Sequence, residues 1–195
     1  MSDGTEGVKI SQHDALQRAR ESNLSKLEGL SEYDLRRPMT QTGTNLLGVM
    51  KHLCGMEYAY LGETFGRTLL PERVPGDDED LWNSGDMWAR PDESSEYILG
   101  WYQRTCAYAD ETIRMLDLDA SGSVPHWPEG NRTTLGAMIA LVLGEECRHG
   151  GHIDVVRELI DGRGGTDQAE FGDAEKWRQY LAKLQAAADV FADKS

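Results

Sequence analysis

The residues best suited to chemistry lie close together between positions 144 and 152. Glu145, His149 and His152 are separated by four and three positions, and on an α-helix this spacing places them within a sector of about 60°. The same stripe continues through four apolar residues: Met138, Leu141, Val156 and Leu159. A carboxylate and two imidazoles are therefore predicted on the side of a helix that faces the core.

Burying such groups without partners is costly, and one metal ion would satisfy all of them. His52 offers a further ligand from another helix, because its three- and four-residue neighbours are apolar or small: Gly48, Val49, Gly55 and Met56. His52, Glu145 and His149 would leave coordination positions open for water or substrate, as in catalytic metal sites. The alternative is that His149 and His152 are ordinary histidines with satisfied hydrogen bonds.

Two adjacent glycines follow His149 within the same predicted helix. Gly150 and Gly151 each cost about 1 kcal/mol relative to alanine in a helix interior. This cost predicts that another backbone or a ligand approaches closely. The alternative is a kink or an early helix end at Gly150.

Apolar periodicity predicts five helices and two long loops. The helices are expected at about residues 10–30, 44–65, 94–118, 133–162 and 173–192, and the loops at 71–91 and 119–132. The last helix has an apolar side formed by Trp177, Tyr180, Leu181, Leu184, Ala188 and Phe191. No segment is predicted to be a strand.

Four long helices and a terminal one predict an all-α fold: a four-helix bundle with an extra C-terminal helix, in a single domain over residues 8–192. The connection between the second and third helices is long enough to cross the bundle, so these two helices can run parallel. The predicted order is therefore up-down-down-up.

The composition argues against several classes of partner. The net charge is -14, from 34 acidic and 20 basic residues, and it repels phosphate backbones and anionic lipid surfaces. We therefore expect neither nucleic acid nor membrane as a partner. Without a long apolar stretch or an apolar signal segment, a cytoplasmic location is predicted.

Cys54, Cys106 and Cys147 match no metal or disulfide spacing, and each is expected to be a reduced core residue.

Two segments carry a family resemblance. Residues 46–53, which contain His52, and residues 145–154 resemble the DinB-like superfamily of metal-binding four-helix bundles, and the likeness covers roughly residues 11–159. The closest resemblance is to an uncharacterised branch common in actinobacteria. In the commonest family pattern three histidines bind the metal, one on the second helix and a pair four residues apart on the fourth predicted helix. Here Glu145 stands at the first position of that pair. The mycothiol-dependent maleylpyruvate isomerase of this superfamily resembles the present chain in that substitution.

The resemblance implies a metal-dependent enzyme that uses a low-molecular-weight thiol such as mycothiol. In such members the metal lowers the pKa of the thiol, and the thiolate attacks a small electrophilic substrate, so the expected activity is that of an S-transferase or isomerase. His52, Glu145 and His149 would then bind the metal, with zinc expected first and nickel or another first-row ion as alternatives. His152 is expected as the catalytic proton-transfer group, a reserve ligand or a plain hydrogen-bonding residue.

Two rival functions remain open, together with several details. The chain could be a non-catalytic module that binds a metal or small ligand, or an interaction protein with an incidental metal.

Four residues are expected to line the pocket, although aromatics at helical spacing are more often core: Met56, Tyr60, Trp101 and Trp127. The sequence does not reveal the oligomeric state, and a homodimer is kept as one alternative.

Overall fold

The computed structural model describes residues 3–68, 84–128, 132–163 and 173–192. Most of them are helical, and the α-helices in chain order are α1 Asp3–Ser25, α2 Glu32–Arg36, α3 Leu46–Leu61, α4 Ser95–Met115, α5 Leu135–Asp161 and α6 Ala174–Asp189. Two 3-10 helices, Glu63–Phe65 and Gly85–Met87, and two short strands, β1 Ser121–Ser123 and β2 Arg132–Thr134, complete the described elements. The all-α prediction is confirmed. Among these residues, no helix combines the length and apolar character needed to cross a bilayer.

Side-chain caps begin the main helices and a glycine ends the longest one. Asn45 Oδ1 accepts a hydrogen bond from the Gly48 amide at 2.7 Å and caps α3, close to the helix start predicted at about residue 44. Ser94 and Thr134 cap α4 and α5 in the same way. Each cap satisfies an amide that the first turn leaves unpaired. Gly162 ends α5 in the left-handed conformation, with a φ of 76°, which favours glycine.

Helices α1 and α5 lie side by side and run parallel. The Asn23 amide of α1 donates to Glu146 of α5, and Lys26, just past the end of α1, pairs with Asp154 further along α5. Since the later residue on one side contacts the later residue on the other, the two helices run in the same direction.

Helices α3 and α4 also run parallel, and both oppose α5. Lys51 on α3 pairs with Glu93, just before α4, whereas Tyr58 stacks near Tyr108 further along. In contrast, Leu46 at the start of α3 shares a core cluster with Val156, late in α5, whereas Leu61 at the end of α3 shares one with Leu135, the first residue of α5. The up-down-down-up order and the long crossover between the second and third bundle helices are therefore confirmed.

The core fills the space between the four bundle helices. Two apolar clusters make it up, one nearer the start of α3 and one nearer its end. Their largest fully buried members are Leu16, Leu46, Leu47, Met50, Leu53, Leu61, Ile98, Tyr102, Ile113, Leu135 and Ile139. Helix α3 contributes to both clusters, because apolar residues occur on nearly all its sides.

The described end of the crossover is held tightly on α3. A Cβ at Gly48 would lie 1.8 Å from the Met87 carbonyl oxygen, so only glycine admits the 3-10 helix Gly85–Met87 at this distance. The Asn45 side chain donates to the same carbonyl at 3.1 Å. These contacts fix where Asp86 lies. The acidic run at 77–80 and Trp82 lie outside the described residues.

Two expectations about secondary structure differ from the structure. The first helix was predicted to extend to about residue 30, but it ends at Ser25, and the separate α2 begins after the cap Ser31. The loop at 119–132 contains the hairpin of β1 and β2, so the prediction of no strand is wrong. Three-residue strands are too short to produce a visible alternation.

The C-terminal helix and one cysteine are more exposed than expected. Over its described length α6 has no buried side chain, and the apolar Leu181 and Phe191 are exposed by 56% and 64%. Cys54 is buried as predicted and Cys106 is half-buried, but Cys147 is exposed, so its assignment to the core is wrong. Cys147 lies on the outer side of α5, where its neighbours Arg148 and Gly151 are also exposed.

Candidate metal centre

The structure brings together the three residues predicted as metal ligands. His52 comes from α3, and Glu145 and His149 come from one face of α5. Their ligand atoms all lie within 4.8 Å of one another. The ring centroids of His52 and His149 are also 4.8 Å apart. One ion placed among the three residues could therefore contact all of them.

Asp86 orients His52. Asp86 Oδ2 lies 2.6 Å from His52 Nδ1, so a proton on Nδ1 leaves Nε2 unprotonated and available as a ligand. Carboxylates commonly hold metal-binding histidines in this way. Sequence reasoning missed Asp86, because it lies in a loop without periodicity and nothing in the sequence distinguishes it from the other acidic residues of that loop.

Burial keeps His149 in the neutral form that binds metals. Its side chain is 9% exposed, and burial, followed by the adjacent His52, lowers the pKa of His149 to about 4. Both causes disfavour a second positive charge among the imidazoles. His149 is therefore neutral at physiological pH, before any cation is considered.

The donor set and its spacing fit a first-row divalent ion. His149 Nε2 and Glu145 Oε2 are 3.3 Å apart, close to the separation of about 3.4 Å expected for two ligands on one tetrahedral ion with bonds of about 2.1 Å. Two imidazoles and one carboxylate suit zinc and several other ions of that row.

His152 lies at the edge of the cluster. Its ring is exposed, and its Nδ1 is 3.4 Å from Nδ1 of His149, with the ring centroids 5.2 Å apart. A proton on His149 Nδ1 can be donated to His152, which leaves His149 Nε2 facing Glu145. His152 is thus placed to orient His149, and its predicted catalytic role stays a prediction.

Glu146, the neighbour of Glu145, belongs to a separate polar network in the core. It is completely buried, and it accepts hydrogen bonds from Asn23 on α1 and from the Tyr102 hydroxyl on α4. Burial and the nearby Glu57 carboxylate raise the pKa of Glu146. Glu146 therefore connects α5 with α1 and α4.

The two glycines after His149 have different environments. Helix α5 continues through both of them, so the alternative of an early helix end is wrong. A Cβ at Gly150 would lie 2.7 Å from Asn23 Oδ1. The predicted close approach is therefore real, although a side chain makes it rather than a backbone or a ligand. A Cβ at Gly151 would meet nothing within 4 Å.

Comparison with known protein families matches residues 12–162 to the mycothiol-S-transferase family. The match spans α1 to the end of α5 and contains every residue of the candidate centre described above. None of the curated proteins matches the chain. The family agrees with the DinB-like resemblance of the two sequence segments. The chain belongs to the mycothiol-S-transferase family.

Proposed function

We propose that this protein is a metal-dependent S-transferase that joins mycothiol, or a similar low-molecular-weight thiol, to an electrophilic small molecule. His52, Glu145 and His149 would hold one divalent ion, with zinc as the first choice. The observation that carries the proposal is the convergence of these three ligand atoms within 4.8 Å in a chain of this family.

When bound, such an ion stabilises the thiolate form of a thiol, which is the nucleophilic form. The chain's own residues prepare the centre for it. Asp86 holds the His52 ring from Nδ1, and burial keeps His149 neutral. Three protein ligands leave room for the sulfur of the cosubstrate.

His152 is proposed to accept the thiol proton at Nδ1. That atom lies 3.4 Å from His149 Nδ1, which is long for a hydrogen bond and therefore weak. The weak bond can open, and the exposed ring can turn to take the proton. The sulfur then forms a bond to the electrophilic carbon, and the leaving group departs with the electron pair of the bond that breaks.

The cysteines of the chain are not needed as nucleophiles. Burial raises the pKa of both the Cys54 and the Cys106 thiols well above the ordinary value, so they remain protonated and unreactive at neutral pH. Cys147 is exposed but lies on the outer side of α5, so the nucleophile is proposed to come from the cosubstrate.

A fluorogenic conjugation assay tests the activity. Metal-reconstituted protein is mixed with mycothiol, bacillithiol or glutathione and with monochlorobimane, whose carbon–chlorine bond breaks as the carbon–sulfur bond forms. We expect a metal-dependent rate with mycothiol that is lost in metal-free protein and in His149→Ala. The matched control is Glu158→Ala, an exposed substitution on the same helix.

The alternative function is a non-catalytic module for a metal or small ligand. It takes the place of the transferase if the protein binds one ion but none of the thiols gives a metal-dependent rate. The cytoplasmic location, the single domain over residues 8–192 and the homodimer remain predictions.

A further inference from the structure

We propose that Tyr60, His126 and Trp127 form a subsite for the sugar portion of the thiol cosubstrate, at the far end of a strip of half-buried residues on α3, called the groove below, that begins at His52. This inference rests on the proposed function and names the part of the ligand that gives it specificity.

The groove follows one face of α3. His52, Gly55, Met56, Ala59 and Tyr60 recur at three- and four-residue steps and are all half-buried, whereas the residues between them are buried. Helical rise places Tyr60 about 12 Å beyond His52 along the same face. The metal centre and Tyr60 therefore open onto one continuous surface.

Small residues leave space along this surface. A Cβ at Gly55 on α3 or at Gly144 on α5 would meet nothing within 4 Å. The half-buried Met56 and Leu141 add apolar side chains to this surface. A narrow, extended ligand would fit against such a surface.

The β1–β2 hairpin carries the other two aromatic residues to Tyr60. A Cβ at Gly122 in β1 would lie 2.7 Å from the Thr64 carbonyl oxygen and 2.8 Å from the Phe65 ring, so the hairpin is pressed against the end of α3. Val124 is buried at its base. The hairpin loop is thereby held beside Tyr60.

The three side chains form an amphipathic cluster. The Tyr60 hydroxyl lies 3.1 Å from His126 Nε2, and the Tyr60 ring centroid lies 5.6 Å from that of His126 and 6.1 Å from that of Trp127. His126 is exposed and Trp127 is half-buried. Aromatic faces beside polar tips suit a ligand with apolar faces and hydroxyl edges, as a sugar ring has.

Length and charge favour mycothiol over the other thiols. Mycothiol joins its cysteine to glucosamine and inositol, so it can reach from the centre to Tyr60, whereas free cysteine cannot. Its sugar portion is uncharged, but glutathione and bacillithiol carry additional carboxylates. A chain of net charge -14 repels those carboxylates.

Steady-state kinetics with two thiols test the subsite. N-acetylcysteine supplies the thiol without the sugars, and mycothiol supplies both. In Trp127→Ala we expect KM for mycothiol to rise about tenfold, with kcat nearly unchanged and the kinetics of N-acetylcysteine unchanged. Trp177→Ala, on α6 and outside the groove, is the matched control and should change neither. An equal change with both thiols, or no change with either, would overturn the subsite.

A second, conservative variant separates loss of the subsite from loss of the fold. Tyr60→Phe keeps the ring and removes only the hydroxyl, so its circular dichroism and metal content should match the wild type. We expect KM for mycothiol to rise a few-fold, again without an effect on N-acetylcysteine. A purely structural role of the cluster would leave this discrimination between the thiols unchanged.

Binding of the thiol-free fragment separates the two proposals. Glucosaminyl-inositol, added to the metal-loaded protein, should change the tryptophan fluorescence of the wild type but not of Trp127→Ala. Fragment binding without thiol transfer would reject the transferase and keep the subsite. Transfer without fragment binding and without the KM effect would reject the subsite and keep the transferase.

Discussion

Glu145 and Glu146 follow one another on α5, yet they lie in two regions that differ in how their polar atoms are paired. Around Glu146 every side chain of the buried network is paired: Arg20 donates to both oxygens of Glu57, and Asn23 and Tyr102 donate to Glu146. Around Glu145 the ligand atoms instead converge on a common point near the surface.

The difference indicates what each region is for. A buried group whose hydrogen bonds are complete holds helices together and has no capacity left for a ligand. Acceptors that face one another at 3.3 Å across a half-exposed centre need a cation or a proton between them. Two adjacent residues of α5 thus belong to a structural network and to a binding site.

The largest expected effect is on the structural side. Arg20→Met leaves Glu57, which is completely buried, without its cation, and removing one partner of such a pair costs about 3–5 kcal/mol in the free energy of unfolding. Chemical denaturation measures this loss. The double variant Arg20→Met, Glu57→Leu should recover most of the stability, because it leaves neither charge unpaired. Metal affinity in the double variant should equal that of the wild type, and a large loss of affinity would contradict the separation of the two regions.

A smaller effect is expected from the residue that orients His52. Asp86→Asn should weaken metal binding by about 10- to 100-fold, since removing such a carboxylate frees the imidazole to turn and to change its tautomer. Competition with a chromophoric chelator measures the affinity. Asp92→Asn is the matched control, because Asp92 is an acid of the same segment with its side chain 82% exposed. Equal affinities for Asp86→Asn and the wild type would show that His52 is held by other contacts.

A further effect is expected in how stability depends on pH. Burial first, and Glu57 next, raise the pKa of Glu146 from 4.5 to about 8. The folded state therefore binds a proton more readily than the unfolded state, so this contribution is complete below pH 4.5 and is lost as the pH rises towards 8. Glu146→Gln imitates the protonated form and should flatten that part of the stability profile. Parallel profiles for the variant and the wild type would mean that Glu146 is ionised in the folded protein.

Periodicity was enough to predict the bundle and the three candidate ligands. The long amphipathic helices have a visible period, and the four- and three-residue spacing of Glu145, His149 and His152 places them on one face whatever the loops do. Asp86 could not be found in this way. Its position depends on the close approach of Met87 to Gly48, which is a tertiary contact with no local sequence pattern.

Two further features depended on tertiary contacts that a single sequence does not display. The face of Glu146 looked polar, but Asn23 and Tyr102 from two other helices make that face part of the core. The hairpin is short and rests on Thr64 and Phe65, so its stability comes from packing rather than from strand propensity.

Metal titration of the untagged, metal-free protein tests the central claim most directly. Cobalt or zinc is added to the wild type and to His149→Ala, and bound metal is measured by elemental analysis after removal of free ion. We expect about one ion per chain in the wild type and loss of tight binding in His149→Ala, with the helical content of the two proteins unchanged. Less than about a tenth of an ion per wild-type chain, or equal binding by His149→Ala, would contradict a metal centre at His52, Glu145 and His149.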